Sequence, residues 1–133
     1  MITGIGVDVI TVERIARIWE TRRMHFAHHV LTPEELDALP NAVDPARWIA
    51  KRWAAKEAFA KAAGTGMRAP LRWSGIGVRH DDHGRPELAF MPFIQAWLAR
   101  RGIERWHLSL SDERDLVCAM VILETPDRPN AVA

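Results

Sequence analysis

The amino-acid sequence predicts a single small α+β domain, in which a mainly antiparallel sheet packs around a long central helix. The chain has 133 residues, enough for one domain. Its periodicities follow the order strand, three helices, hairpin, helix, hairpin, and hairpins pair strands antiparallel. No repeat, linker or low-complexity segment divides it. We assign the domain to residues 1–124 and expect a flexible tail at residues 125–133.

The composition excludes several classes of protein. The chain has 18 Lys and Arg against 17 Asp and Glu, so its net charge is +1. Such a charge does not create the overall positive electrostatic field that attracts nucleic acid. The single cysteine, Cys118, cannot form an internal disulfide, which fits a reducing compartment. There is no signal-peptide pattern, and no apolar run approaches the ~20 residues of a membrane span. We therefore expect a cytoplasmic protein that binds neither nucleic acid nor membranes.

The first two elements are a strand and a helix. Residues 2–10 are rich in β-branched side chains and glycine, which predicts a buried strand, and Asp8 is its only acidic residue. Thr11 has the character of a helix N-cap, and apolar residues recur at helical spacing until about Arg23. A buried carboxylate needs a partner, so Asp8 is a candidate functional residue. The alternative is that Asp8 only turns the chain into the helix.

Two helices follow. Residues 32–35, Thr-Pro-Glu-Glu, form a capping-box sequence and predict a short helix ending near Leu39. An Asp-Pro start signal at residues 44–45 opens a run rich in Ala, Lys, Glu and Arg up to Ala63. This run predicts the longest helix, with Gly64 as its stop.

The C-terminal half predicts two hairpins separated by a helix. The helix begins at Pro92 and stops at Gly102. Residues 112–115 have turn composition, and the last strand is nearly all apolar, which predicts burial. The four strands are predicted at residues 76–80, 87–90, 106–111 and 116–123.

Three segments carry candidate chemistry, each with a structural alternative. Gly4 and Gly6 do not complete a dinucleotide fingerprint, so we interpret them as positions where another backbone packs closely. Glu57 and Lys61 lie one helical turn apart among small residues, which would let a ligand or another element approach them closely. The structural alternative is an intrahelical ion pair on a solvent-exposed face. His107 lies on the same face of its predicted strand as two serines, which makes it a candidate functional residue. The structural alternative is that these side chains only form hydrogen bonds within the fold.

Two basic features are also candidates. The glycine-containing loop after the long helix, Gly64-Thr65-Gly66, offers backbone amides to an anion. The first helix has an excess of arginine, which suits docking of an acidic helical partner or is only a solvated face. Its candidate partner-binding residues are Arg14, Arg22 and Arg23.

Taken together, three motifs resemble those of the bacterial holo-acyl-carrier-protein synthases, which are 4'-phosphopantetheinyl transferases. They are Gly-Ile-Gly-Val-Asp at residues 4–8, the long-helix run at residues 52–62 leading into Gly64-Thr65-Gly66, and His-Leu-Ser-Leu-Ser at residues 107–111. The resemblance covers nearly the whole chain in the right order. It implies transfer of phosphopantetheine from coenzyme A to a serine of an apo acyl carrier protein, releasing adenosine 3',5'-bisphosphate.

The resemblance also implies residue roles. Asp8 and Glu57 look like the carboxylates that hold Mg²⁺, which fits its preference for oxygen ligands and substrate phosphate. Lys61 would contact the same phosphates, and Glu57, directly or through a metal-bound water, could take the proton of the serine. The other implied coenzyme contacts are Arg52 and His107 at its phosphates, and Gly64, Thr65, Gly66 and Pro86 along its nucleotide.

Family members are similar in forming trimers, with the coenzyme bound between subunits. They are also similar in presenting a basic first-helix surface to an acidic carrier protein, and Arg14, Arg22 and Arg23 match that surface in this chain. This chain departs from the common pattern at Thr11, Lys51 and Asp112. Two other functions stay open from sequence: a non-catalytic module that docks acidic helical proteins, and a nucleotide-binding regulator. Fatty-acid and polyketide carriers are not distinguished.

Overall fold

The computed structural model describes residues 1–127 and confirms the predicted α+β class. The strands β1 (Ile2–Thr11), β5 (Leu116–Glu124) and β4 (Arg105–Glu113) form a three-stranded sheet in that order, β2 (Ile76–His80) and β3 (Pro86–Phe90) form a second sheet, and every pair is antiparallel. Within residues 1–127, no helix has the length and apolar character needed to cross a membrane. The elements are β1 (Ile2–Thr11), α1 (Val12–Val30), α2 (Pro33–Ala38), α3 (Pro45–Ala63), β2 (Ile76–His80), β3 (Pro86–Phe90), α4 (Pro92–Arg100), β4 (Arg105–Glu113) and β5 (Leu116–Glu124), with short 3-10 helices at Leu39–Asn41 and Trp73–Gly75.

The central helix α3 packs on one face of the three-stranded sheet, and its contact with β1 depends on glycine. A Cβ atom added to Gly6 would lie 2.0 Å from the carbonyl oxygen of Ala58, and one added to Gly4 would lie 2.0 Å from that of Ala62. Both distances are far below van der Waals contact, so any side chain would push the strand away. The structure therefore confirms that the two glycines allow close backbone packing.

A buried ion pair joins α3 to α2. The Lys56 side chain is fully buried, and its Nζ donates to Glu35 Oε1 at 2.6 Å and to the carbonyl oxygen of Val30. Glu35 also accepts from the backbone N–H groups of Thr32 and Val78, each at 3.0 Å. Burial lowers the pKa of Lys56 to about 8, and the charge of Glu35 opposes this. The lysine is therefore part of the core.

The predicted caps are present, but α1 extends further than predicted. Thr32 and Glu35 form the reciprocal capping box, and Gly64 ends α3 with a left-handed φ of 78°. The end predicted near Arg23 is a kink, where φ is 40°, and helical structure then continues to Val30 because Phe26 and Val30 are buried.

Two other predicted boundaries lie at the turn before β5 and at the C-terminal tail. The turn predicted at residues 112–115 is shorter than expected, since β4 continues to Glu113 and β5 begins at Leu116. In the predicted tail, the Thr125 backbone N–H donates to the carbonyl oxygen of Met1 at 2.9 Å. Residues 128–133 lie outside the described residues, and the domain boundary at residue 124 stays a prediction.

The predicted burial of β5 holds for one of its two faces in the single chain. Its residues alternate between a face covered by α3 and an outer face, and β1 does the same. Five large apolar side chains of this outer face are 41–60% exposed: Ile5, Val7, Val9, Leu116 and Met120. The three-stranded sheet thus presents an apolar surface that no element among residues 1–127 covers.

Gly6→Ala is expected to destabilise the fold, because no rotamer change can move the carbonyl oxygen that the new methyl group meets. Overpacking of this kind costs about 1–3 kcal/mol. Gly77→Ala is the matched control, since its Cβ would lie 3.2 Å from the Ala89 carbonyl oxygen and 3.4 Å from Thr32. Urea unfolding measures both. Equal stability of Gly6→Ala and the unsubstituted chain would contradict the close approach.

Glu35→Gln should lower the free energy of unfolding by about 3–5 kcal/mol, because it leaves the Lys56 ammonium buried without a counter-charge. Glu34→Gln is the control. Glu34 pairs with Arg79 at 2.9 Å on the surface, where such a pair contributes less than about 1 kcal/mol. If urea unfolding gives the two substitutions the same small cost, Lys56 is not held as a buried ammonium.

Candidate functional site

A cluster of charged side chains lies where β1 crosses α3. Asp8 follows Gly6 by two residues, so it points to the same side of the strand, toward α3. Lys61 Nζ donates to Asp8 Oδ1 at 3.1 Å and to the Val7 carbonyl oxygen at 3.0 Å. Glu57 lies one turn before Lys61 on α3. The fold thus brings together three residues that sequence analysis singled out separately.

The surroundings of the Glu57 carboxyl group act on its pKa in both directions. Burial raises the pKa of Glu57, and the negative charge of Asp8 raises it further. The indole N–H of Trp73 and the charges of Lys61 and Arg14 act in the opposite direction. A cation between the carboxylates would relieve their repulsion.

The pair fits Mg²⁺ by its chemistry. Both Asp8 and Glu57 offer oxygen ligands, and Mg²⁺ is usually bound through one or two carboxylates together with water and substrate phosphate. Within residues 1–127, no group of three or more Asp, Glu, His or Cys side chains could hold a metal ion. A cation bound here would therefore take its remaining ligands from water or from a phosphate-bearing substrate.

Arg52 occupies a different depression. Its guanidinium lies 3.6 Å from the centre of the Trp48 ring, and its Nη1 donates to the Trp48 carbonyl oxygen at 3.2 Å. Burial lowers the pKa of Arg52 to about 10, and its Nε, 3.6 Å from Glu35 Oε2, has no hydrogen-bond partner among the described residues. Lys51 and His80 line the same depression, where burial and the two cations lower the pKa of His80.

His107 and Pro86 line a groove between β3 and β4, beside Arg85. The His107 Nε2 atom lies 2.6 Å from Glu124 Oε2, and this bond holds the pKa of Glu124 below its ordinary value. Since Nε2 is engaged by the carboxylate, the Nδ1 atom is the ring nitrogen left for another partner.

The glycine-containing loop after α3 borders a third depression. Gly64 and Thr65 line it together with Arg68 and Arg101, and Gly66 follows with a left-handed φ of 65°. The residues that the resemblance assigns to the coenzyme are therefore distributed over separate depressions of one chain. No hydrogen bond among residues 1–127 joins these depressions to the carboxylate pair.

The predicted partner surface begins next to the carboxylates. Arg14, Arg22 and Arg23 are all exposed on α1, and the Arg23 guanidinium lies 5.2 Å from the centre of the Trp19 ring. Arg14 is close enough to Glu57 to lower its pKa. The positive charge of Arg14 thus acts on the candidate cation site.

Sequence analysis missed two residues that contact the candidate site residues. Trp73 donates its indole N–H to Glu57 Oε1 at 3.1 Å, but it begins a short 3-10 helix whose position beside α3 no local pattern predicts. Glu124 could have been found, because the predicted hairpin places β4 and β5 side by side. In the register of this hairpin, Arg105 lies opposite Glu124 and His107 lies opposite Ile122, so His107 is a diagonal neighbour of Glu124.

Two of the three departures from the family pattern contact each other. Lys51 Nζ lies 3.3 Å from Asp112 Oδ1, so an ion pair links the first half of α3 to β4. The third, Thr11, caps α1 by accepting from the backbone N–H of Arg14 at 3.3 Å. None of the three contacts Asp8 or Glu57 through a hydrogen bond among the described residues.

Comparison with known proteins identifies the family. The model of the 4'-phosphopantetheinyl transferase superfamily matches residues 4–121. A holo-[acyl-carrier-protein] synthase from Neisseria meningitidis is 47% identical over 124 residues, covering 93% of this chain and 99% of its own.

Two solved structures share the fold. The crystal structure of a Neisseria meningitidis holo-[acyl-carrier-protein] synthase has a TM-score of 0.92 at 47% identity, over 94% of this chain and 100% of that one. A Bacillus anthracis synthase in complex with CoA (3',5'-ADP) has a TM-score of 0.79 at 32% identity, over 95% and 99%. This protein belongs to the 4'-phosphopantetheinyl transferase superfamily.

Proposed function

We propose that this chain is a Mg²⁺-dependent holo-acyl-carrier-protein synthase, which transfers 4'-phosphopantetheine from coenzyme A to a serine of an apo acyl carrier protein. The observation that carries the proposal is the pair of neighbouring carboxylates, Asp8 and Glu57, with the Lys61 ammonium beside them. A docking module has no use for such a pair. The relatives named above bear the name of this activity, and one of them was solved with coenzyme A.

In the proposed reaction, the serine oxygen of the carrier bonds to the phosphorus nearer the pantetheine and gives up its proton, for which Glu57, directly or through a water, is the candidate acceptor. The bond from that phosphorus to the bridging oxygen breaks, and the electron pair leaves with adenosine 3',5'-bisphosphate. Asp8 and Glu57 would hold Mg²⁺, which supplies charge neutralisation at the diphosphate when bound. Lys61, whose side chain is half exposed, places its ammonium where it can contact the same oxygens.

The remaining residues fit binding roles. Arg52 and His107 would contact coenzyme phosphates, and Gly64, Thr65, Gly66 and Pro86 would line the nucleotide. Arg14, Arg22 and Arg23 would receive an acidic carrier, next to the carboxylates. We also propose a cytoplasmic location, consistent with an unpaired Cys118.

We further propose that three chains form a homotrimer through the apolar outer face of the three-stranded sheet. A contiguous exposed patch of this kind marks an interaction surface. Trimerisation would also explain why the predicted coenzyme contacts occupy separate depressions of one chain, since a neighbouring subunit could complete each site.

Glu57→Gln is expected to reduce transfer by more than about 100-fold, because a neutral amide is a poor Mg²⁺ ligand. Intact mass spectrometry of an apo acyl carrier protein, incubated with coenzyme A and Mg²⁺, measures the transfer. With the unsubstituted chain, the carrier should gain one phosphopantetheine group, about 340 Da, and EDTA should abolish the gain. Carrier binding by Glu57→Gln should be unchanged.

Glu104→Gln is the matched control, since Glu104 is an exposed glutamate in the loop before β4. Its transfer rate should equal that of the unsubstituted chain. Full turnover by Glu57→Gln would refute the metal assignment. No mass gain with any carrier, with binding retained, would favour the docking module.

Ile5→Glu is expected to convert a trimer into monomers, because it places a charge in the apolar outer face of the sheet. Light scattering after gel filtration should give about three times the chain mass of 15.1 kDa for the unsubstituted protein and one chain for the variant. Val43→Glu is the control, since Val43 is a fully exposed apolar residue outside that face. A monomeric unsubstituted protein would exclude the trimer.

A further inference from the structure

Trp73 contacts the candidate site without being one of its charged groups. It begins the short 3-10 helix Trp73–Gly75 that precedes β2. Its ring stacks on Trp53, with 5.1 Å between ring centres and 20° between planes, and the centre of the His29 ring lies 5.2 Å from that of Trp73. The indole is therefore fixed between α1 and α3.

Two consecutive residues of α3, Lys56 and Glu57, form hydrogen bonds with the backbone and the side chain of Trp73, respectively. The buried Lys56 Nζ donates to the Trp73 carbonyl oxygen at 3.1 Å, while Glu57 Oε1 accepts from the Trp73 indole N–H, also at 3.1 Å. The backbone of Trp73 is thus tied to the core through Lys56, and its ring is tied to the site through Glu57. An indole so held cannot follow the carboxylate if the Glu57 side chain rotates away.

The chemistry of the indole suits a positioning role. An indole N–H only donates and does not titrate, so it holds one carboxylate oxygen without adding a charge that would compete with a cation. Glu57 Oε2 has no hydrogen-bond partner among the described residues. One oxygen of Glu57 is therefore oriented by the protein, and the other is available.

We propose that Trp73 is a positioning residue for Glu57, whose Oε1 it holds so that Oε2 is presented to the divalent cation shared with Asp8. This inference rests on the proposed function. Residues that orient a metal ligand from behind typically change metal affinity by about 10–100-fold when they are replaced.

Trp73→Phe removes the N–H and keeps an aromatic ring, and Trp53→Phe is the matched control. Trp53 loses the same indole, but among the described residues its indole N–H makes no hydrogen bond to Glu57. Electron paramagnetic resonance titration with Mn²⁺, in the presence of coenzyme A, measures cation binding. We expect Trp73→Phe to weaken Mn²⁺ binding about tenfold or more, and Trp53→Phe to leave it within about twofold.

Kinetics provide the second readout. In Trp73→Phe, the Mg²⁺ concentration for half-maximal transfer should rise by the same factor, while the KM for the carrier stays unchanged. Equal Mn²⁺ affinity in Trp73→Phe and the unsubstituted chain would overturn the proposal, and so would equal weakening by both substitutions, which indicates packing alone. If the unsubstituted chain transfers nothing and binds no Mn²⁺, the proposed function itself fails.

The unsubstituted chain allows the same test if Trp73→Phe does not fold. The sequence contains six tryptophans, so its ¹H–¹⁵N spectrum has six indole resonances. Glu57→Gln should displace one of them, which assigns Trp73, and Mg²⁺ with coenzyme A should displace the same one. If Mg²⁺ with coenzyme A leaves that resonance unmoved, the positioning role is excluded.

Discussion

The close contact between the backbones of β1 and α3 determines where the charged groups of the candidate site lie. Gly4 and Gly6 leave no side chain between the strand and the helix, and both would overlap a helix carbonyl oxygen if they carried a Cβ. Asp8 is therefore held beside α3, where it pairs with Lys61 and raises the pKa of Glu57. A wider spacing would separate the two carboxylates, and the pair could no longer share a cation.

The position of α3 also depends on the buried ammonium group of Lys56, because removing a charge from water costs free energy unless the charge is paired. The Lys56 ammonium is surrounded by oxygen atoms of Glu35, Val30 and Trp73, which belong to three different parts of the chain. Such a group tolerates few alternative arrangements, because each shift would leave a charge unpaired in the interior. Glu57 is the next residue, so the element that carries the metal ligand is positioned by its buried neighbour.

Local signals in the sequence were sufficient for the order of the main helices and strands and for the caps of α2 and α3, because a capping box or a helix-ending glycine depends on a few neighbouring residues. The same holds for Gly4 and Gly6, whose missing side chains indicate close packing of some backbone. Sequence could not show that Lys56 is buried or that Trp73 reaches Glu57, because these contacts join distant segments. The apolar sequence of β5 predicts burial but not which of its faces the chain itself covers, since hydrophobicity does not distinguish a core from a subunit interface.

The most direct test of Asp8 and Glu57 as metal ligands is a crystal structure of this protein with coenzyme A and Mn²⁺, in which anomalous scattering locates the cation. We expect one Mn²⁺ site per chain, bounded by the carboxylates of Asp8 and Glu57, with diphosphate oxygens and waters completing its ligands. Coenzyme A bound with no cation between these two carboxylates, or with Mn²⁺ held elsewhere, would show that the two carboxylates are not the metal site.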